Sequence, residues 1–117
     1  MKAKEHDIQA NIVQYLRIKG IPTIGTDVMS GLTFFSHKDN RRFSFIAHHK
    51  NIGYTKGQPD LVILTPNRAI CLEVKADKGY QSPEQKYFQE ECERMSIDYY
   101  LVRSLDDVIN ILKDIDY

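Results

Sequence analysis

The segment of residues 57–75, GQPDLVILTPNRAICLEVK, constrains the fold of this chain more than any other part of the sequence. Its apolar runs at 60–64 and 69–75 are separated by the turn-forming residues 65–68, which is the pattern of a β-hairpin. If those four residues form the turn, residue 64 pairs with 69, 62 with 71 and 60 with 73. This register predicts that Asp60 and Glu73 face each other at the open end of the hairpin.

The same register sorts the side chains onto two faces, because neighbours along a strand point in opposite directions. One face is entirely apolar and consists of Leu61, Ile63, Ile70, Leu72 and Val74. The other face is apolar except at its end, where Asp60, Glu73 and Lys75 gather. Strands that are apolar on both faces are typical of the middle of a domain. The charges at this end therefore need an explanation.

Two explanations are open for these charges. Glu73 and Lys75 could be ordinary strand-end charges, with Asp60 belonging to the preceding turn. Alternatively, the two carboxylates share a hard cation such as Mg²⁺, which takes oxygen ligands. Lys75 would then approach an anion or a water bound there. Phosphodiester hydrolysis is the chemistry that such a group supports.

Composition limits the class of protein. The 117 residues suffice for one domain, 1–117, with a core of its own. No apolar run reaches the length of a membrane span and no signal-peptide pattern occurs, so we expect a soluble, cytoplasmic protein without a membrane partner. Cys71 and Cys92 lack paired spacing and are expected to be free, buried thiols. A net charge of zero argues against a strongly basic nucleic-acid binder.

Charge is nevertheless unevenly distributed. Residues 38–56 are basic, and their cationic side chains are Lys38, Arg41, Arg42, Lys50 and Lys56. This segment could contact phosphates, or it could be a solvated loop. Residues 32–36 and 41–47 are expected to be strands of a second hairpin with a basic tip. Their aromatic residues Phe34, Phe35, Phe43 and Phe45 could stack on bases or belong to the core.

Two amphipathic helices bring further polar side chains towards the hairpin. Periodicity predicts a helix over residues 4–19, whose first turn carries Glu5 near the buried stripe. Glu5 could complement the positive helix end or reach the cation as a further carboxylate. Ser82, Pro83 and Gln85 start a second helix, in which Phe88, Cys92 and Met95 are expected to be buried. Gln85 could close the capping box or point at the cation, and we expect one amide not to reach both.

The remaining elements complete a predicted architecture. Residues 21–28 and 97–103 are expected to contain strands, and Ser104 is expected to cap a last helix. The order is helix, strands, central hairpin, helix, strand, helix. A mixed sheet with helices on both faces satisfies this order.

At the hairpin the sequence resembles a known family. Pro59-Asp60 followed by Glu73-Val74-Lys75 resembles the PD-(D/E)XK nuclease motif, and GQPDL at 57–61 resembles the G-x-P-D-L form of its virus-type replication-repair nuclease (VRR-NUC) branch. EHDIQ at 5–9 and SPEQ at 82–85 resemble the flanking helix motifs of that branch. The resemblance covers nearly the whole chain and is to the compact, stand-alone type found in viruses and phages. It implies a restriction-endonuclease-like αβββαβ core, with a mixed central sheet flanked by helices, and here an additional C-terminal helix.

The resemblance also implies roles for particular residues. Asp60, Glu73 and the backbone carbonyl of Val74 would bind Mg²⁺ or Mn²⁺, with Glu5 as a possible additional ligand. Lys75 would orient or activate the attacking water, and Gln85 would lie beside the site. The implied activity is that of a homodimeric, structure-selective DNA endonuclease that acts on branched DNA such as Holliday junctions, as in DNA repair. In a virus it would work in the host cytoplasm.

Two alternatives from other classes stay open at this point. A DNA-binding module could retain the nuclease fold without turnover. A purely structural or protein-interaction domain is the other alternative, but it leaves the cluster of acids unexplained.

Overall fold

The computed structural model of the protein describes residues 4–26 and 55–117. Helices and strands follow one another in this part of the chain as α1 (Lys4–Ile18), β1 (Thr23–Gly25), β2 (Leu61–Thr65), β3 (Arg68–Val74), α2 (Pro83–Arg94), β4 (Asp98–Val102) and α3 (Leu105–Leu112). This order confirms the predicted mixed α/β fold with its additional C-terminal helix. The predictions made for residues 27–54 lie outside the described residues, namely both strands of the second hairpin and four of the five basic side chains of residues 38–56.

The described strands form one mixed sheet in the order β1-β2-β3-β4. Strand β2 is antiparallel to both β1 and β3, whereas β3 and β4 are parallel. The predicted hairpin register is confirmed, with Val62 paired to Cys71 and Leu64 to Ala69. Thr65 also pairs with Arg68, so the turn has two residues instead of the four predicted. Pro66 followed by Asn67 at φ 71° is the combination that a type II turn requires.

Helices cover both faces of this sheet. The entirely apolar face of the hairpin packs against α1 and α3, through Ile12, Leu16, Val108 and Leu112. On the opposite face, Cys71 and Tyr99 pack against Cys92 and Phe88 of α2. Fully burying a Leu, Ile or Phe side chain stabilises a fold by about 1.5–3 kcal/mol, so these two layers fix the hairpin in the middle of the domain. Both cysteines are free and buried, as predicted.

Local signals set the ends of the helices. Ser82 and Ser104 cap α2 and α3, as predicted, and each side chain accepts a backbone N–H three residues on. Met95 was expected in the core, but α2 ends at Arg94 and Met95 is the C-cap, half exposed to solvent. The strand expected within residues 21–28 is confined to Thr23–Gly25. Within residues 4–26 and 55–117 no helix has the length and apolarity needed to cross a bilayer.

Candidate active site

Glu73 is the centre of the candidate site. It lies near the end of β3, between β2 and β4, and its side chain is only 1% exposed. No other charged side chain in the described part of the chain is buried. Transferring a carboxylate out of water is unfavourable unless a cation or hydrogen bonds compensate for it. The contacts of its two oxygens are therefore informative.

Those two oxygens have different environments. Oε2 accepts a hydrogen bond of 2.6 Å from the Gln85 side-chain nitrogen and lies 3.5 Å from the Lys75 ammonium. Oε1 is buried too, and no hydrogen-bond donor from the described residues contacts it. A buried polar atom without a partner costs about 1–3 kcal/mol. Oε1 is thus the position at which a proton or a cation would relieve that cost.

The proton affinity of Glu73 reflects this environment. The pKa of Glu73 is raised to about 8, chiefly by burial and next by the nearby Asp60 carboxylate. Lys75 opposes both effects by lowering the pKa, while Glu5 adds a smaller increase. The carboxyl group therefore retains a proton near neutral pH as long as no cation replaces that proton.

Asp60 lies beside Glu73 but not in the position that the hairpin register alone predicted. The β2–β3 ladder ends at the pair Leu61–Leu72, and Asp60 occupies the bend before it. Its Oδ2 accepts a hydrogen bond of 2.8 Å from the Val74 N–H. Within a strand the N–H and C=O of one residue point to the same edge, so the Val74 carbonyl is also directed towards the Asp60 side. Asp60, Glu73 and the main chain of Val74 are therefore neighbours.

The segment before Asp60 is held by several hydrogen bonds. The Thr26 N–H donates to the Asp60 carbonyl at 3.0 Å, and the Thr26 hydroxyl donates to the Pro59 carbonyl. The Gln58 side chain donates to the Thr26 carbonyl at 3.2 Å and accepts the Thr55 N–H at 3.0 Å. These bonds fix Asp60 to the end of β1, because Thr26 directly follows that strand.

Gly57 brings the same segment against helix α2. Its φ is 89°, and a Cβ built there would lie 2.5 Å from the Glu84 carbonyl oxygen. Only glycine can adopt this backbone conformation so close to another main chain without strain. Lys56, one of the predicted DNA contacts, lies 3.7 Å from the Glu84 carboxylate, and both side chains are substantially exposed. The loop that carries Asp60 is thus packed on the turn that carries Gln85.

Gln85 closes the capping box, one of the two roles that the sequence suggested for it, and its side chain also contacts Glu73. Its side-chain oxygen accepts the Ser82 N–H at 2.9 Å and closes the capping box, while its nitrogen donates to Glu73. The expectation that one amide could not reach both partners is wrong. The two contacts use opposite atoms of the amide, one as acceptor and one as donor.

Lys75 and Glu5 are the other charged residues that act on Glu73. The Lys75 N–H donates to the Val102 carbonyl at 3.0 Å, which fixes the residue at the end of β3, and its side chain is 13% exposed. Glu5, in the first turn of α1, accepts the Ala76 N–H at 3.4 Å. Glu5 therefore holds the loop that follows Lys75, and its charge also raises the pKa of Glu73.

Three residues at the site are not predicted by the sequence. The Arg103 guanidinium donates to the carbonyls of Ala76 at 2.6 Å and Asp77 at 3.3 Å. The Gln81 amide donates to the Tyr99 hydroxyl at 3.2 Å. Burial raises the pKa of Tyr99, and the charge of Glu73 raises it further. No local pattern marks these residues, because each contact joins segments that are distant in the sequence.

The ligand set suits one kind of cation. Residues 4–26 and 55–117 contain no group of three or more His, Cys, Asp or Glu side chains arranged to hold a metal ion. Asp60 and Glu73 remain as neighbouring carboxylates, with the Val74 carbonyl as a third oxygen donor, and Oε1 of Glu73 has no partner among the described residues. Mg²⁺ is usually bound by one or two carboxylates and keeps several of its waters. The donor set therefore fits a hydrated Mg²⁺, or the similar Mn²⁺, better than a metal that needs a closed protein cage.

Comparison with known proteins agrees with this architecture. No protein-family model and no curated protein matches the sequence. A solved structure described as a "VRR_NUC domain protein" matches with a TM-score of 0.71 and 19% sequence identity, over 98% of this chain and 89% of that one. At this level of identity the similarity establishes the fold. The chain has the VRR-NUC fold that its hairpin motifs resemble.

Proposed function

We propose that this protein is a Mg²⁺- or Mn²⁺-dependent DNA phosphodiesterase of the PD-(D/E)XK type. The observation that carries the proposal is the buried Glu73 carboxylate, with Oε1 unsatisfied by the described residues and Lys75 3.5 Å from Oε2. A carboxyl group buried in this way is stabilised by a proton or by a bound cation, and a cation at this position would replace the proton. The VRR-NUC fold supports nuclease chemistry as the purpose.

Asp60, Glu73 and the Val74 carbonyl would hold the cation, with Glu5 as a possible additional ligand. A bound divalent ion polarises a phosphoryl oxygen and lowers the pKa of coordinated water. Two observations indicate that these residues suit a divalent cation. Glu73 Oε1 has no partner among the described residues, and the neighbouring donors are all oxygen atoms.

The chain's own side chains would act around that position. The Lys75 ammonium favours the ionised form of Glu73, and in the reaction it would orient the attacking water and stabilise charge developing on the phosphate. Gln85 holds Glu73 in one rotamer through Oε2 and so leaves Oε1 available. Asp60 is held by the Val74 N–H and by the Thr26 contacts to its loop, so the ligands are positioned before substrate arrives.

The proposed substrate is branched DNA such as a Holliday junction, cut by a homodimer in the cytoplasm, or in the host cytoplasm if the protein is viral. A small domain spans a junction more easily as a pair. Local basic character supports phosphate contacts by Lys38, Arg41, Arg42, Lys50 and Lys56.

A cleavage assay tests the proposal. Labelled four-way junction, flap, duplex and single-stranded DNA are incubated with the protein in Mg²⁺, Mn²⁺ or EDTA. We expect metal-dependent cutting, fastest on the branched DNAs, that is lost in Asp60→Asn, Glu73→Gln and Lys75→Ala. Lys113→Ala, at the exposed C-terminal end of α3, is the matched control and should cut normally.

Two other outcomes would contradict the proposal. Binding to these DNAs without cutting in either metal would identify a non-catalytic DNA-binding module that retains the nuclease fold. Neither binding nor cutting would favour a structural or protein-interaction domain.

A further inference from the structure

Tyr80 is a large aromatic side chain that is 82% exposed. It lies in the loop that connects Lys75, at the end of β3, to Ser82, the N-cap of α2. Single exposed apolar side chains are common on protein surfaces and need no explanation by themselves. The position of this one is defined by its two neighbours in the chain.

Both neighbours of Tyr80 contact the candidate active site. On one side, a Cβ built on Gly79 would lie 3.1 Å from the Glu5 carboxylate, so the main chain runs directly against that acid. On the other side, Gln81 points inward and donates to the Tyr99 hydroxyl. Tyr80 is therefore exposed to solvent in a loop whose adjacent residues contact Glu5 and Tyr99.

The loop that carries Tyr80 is also well anchored. The Ala76 N–H donates to Glu5, and Arg103 donates to the Ala76 and Asp77 carbonyls. The Gly79 N–H donates back to the Ala76 carbonyl at 3.0 Å. An aromatic ring on a preorganised loop loses little conformational entropy when a flat partner stacks on it.

We propose that Tyr80 is a stacking platform for an unpaired nucleobase next to the phosphate that is cut; this inference rests on the proposed nuclease function. The faces of a base inside a duplex are covered by its neighbours, whereas an unpaired base can stack on an aromatic ring regardless of its identity. Lys78 is exposed two residues earlier and supplies a cation for the backbone of the same strand. Tyr80 would thus select DNA with unpaired nucleotides at the site over continuous duplex.

Binding measurements in EDTA test this role without catalysis. Fluorescence anisotropy compares a blunt duplex with the same duplex carrying a short single-stranded flap. Tyr80→Ala should weaken binding of the flapped DNA by at least about fivefold, the lower end of base–aromatic stacking, and leave the blunt duplex unchanged. Tyr80→Phe should bind like wild type, because it keeps the ring.

The matched control is Tyr87→Ala. Tyr87 is 64% exposed on α2, two residues after Gln85 and therefore on a different side of that helix. The Tyr87→Ala protein should bind both the blunt duplex and the flapped DNA like wild type. Equal loss on the two DNAs in Tyr80→Ala would show a general backbone contact and overturn the proposal, as would no loss on either.

Parallel cleavage reactions in Mg²⁺ distinguish a failure of the stacking role from a failure of the proposed nuclease function. If wild type cuts and Tyr80→Ala keeps the wild-type preference for flapped DNA, the stacking role is overturned while the nuclease stands. If wild type never cuts but Tyr80→Ala selectively loses flap binding, the stacking role is supported and the nuclease function is overturned.

Discussion

The side-chain amide of Gln85 links the start of helix α2 to the buried carboxylate of Glu73. Its nitrogen lies 2.6 Å from Glu73 Oε2, and its oxygen accepts the Ser82 N–H at 2.9 Å. A capping interaction that would ordinarily stabilise only a helix end also fixes the rotamer of the candidate ligand. Helix position and site geometry are therefore coupled through one side chain.

Gln85→Glu should separate these two functions. A glutamate at this position still completes a capping box, so the start of helix α2 should be kept. The new carboxylate removes the donor to Glu73 and places another negative charge against it. Changing a partner that orients a ligand typically costs about 10–100-fold in metal affinity or activity, and we expect a loss in that range in the cleavage assay.

Ser82→Ala provides the reciprocal comparison. It removes the cap hydroxyl, which accepts a hydrogen bond from the backbone N–H of Gln85, and should lower the free energy of unfolding by about 1 kcal/mol. The backbone N–H that binds the Gln85 side chain is retained, so cleavage by the folded protein should stay near wild type. Normal cleavage by Gln85→Glu, or a loss in Ser82→Ala as large as in Gln85→Glu, would show that the contact with Glu73 is unimportant.

Gly57→Ala should reveal how tightly the Asp60 loop is packed on α2. Gly20 and Gly57 both have positive φ, but a Cβ at Gly20 would meet nothing within 4 Å, whereas one at Gly57 would meet the Glu84 carbonyl at 2.5 Å. Gly20→Ala should cost about 1–2 kcal/mol for its backbone conformation alone. Gly57→Ala should cost about 1–3 kcal/mol more, because overpacking adds to the same backbone term.

Urea denaturation of the two glycine variants measures this difference. Cleavage by the folded Gly57→Ala protein should also fall, since the start of α2 has to move and Gln85 moves with it. Gly20→Ala should cut normally. Equal losses of stability in the two variants would contradict the close approach of the loop to the helix.

The stability of the metal-free protein should decrease as the pH rises through neutrality. Folding raises the pKa of Glu73 from its ordinary value of 4.5 to about 8, so between these values the folded state binds more protons than the unfolded state. The contribution of Glu73 to the free energy of unfolding then falls by at most about 1.4 kcal/mol per pH unit across this window. Above about pH 8 both states are ionised and the decrease ends.

Glu73→Gln isolates this contribution, because an amide does not titrate. Unfolding in EDTA is measured for both proteins between pH 5 and pH 9, and the stability of wild type relative to the variant should fall as the pH rises. A constant difference between the two proteins would mean that the proton affinity of Glu73 is ordinary and that its burial is compensated by other groups.

The sequence was sufficient to predict the hairpin and the residues at its end. Alternation and a short turn determine which side chains share a face, so the pairing of Val62 with Cys71 and the proximity of Lys75 to Glu73 followed directly. The N-caps Ser82 and Ser104 were equally predictable, because their hydrogen bonds are local.

Contacts between distant segments could not be predicted in this way. The approach of Gly57 to Glu84 depends on where α2 docks on the sheet. The Arg103 contact with Ala76 likewise depends on the parallel pairing of β3 and β4. The two simultaneous contacts of Gln85 could not be predicted for a related reason. Residue spacing shows which side of the helix Gln85 occupies, but it does not give the distances from its amide oxygen to Ser82 and from its amide nitrogen to Glu73.

Mn²⁺ binding measured by electron paramagnetic resonance tests the proposed cation site most directly, because it requires neither DNA nor turnover. Wild type should deplete the signal of free Mn²⁺, and Glu73→Gln should weaken that binding by at least about tenfold, since it removes a ligand rather than an outer partner. Glu90→Gln, on the exposed side of α2, is the matched control and should bind like wild type. Equal Mn²⁺ binding by wild type and Glu73→Gln, or no binding by wild type, would contradict a cation site at Glu73.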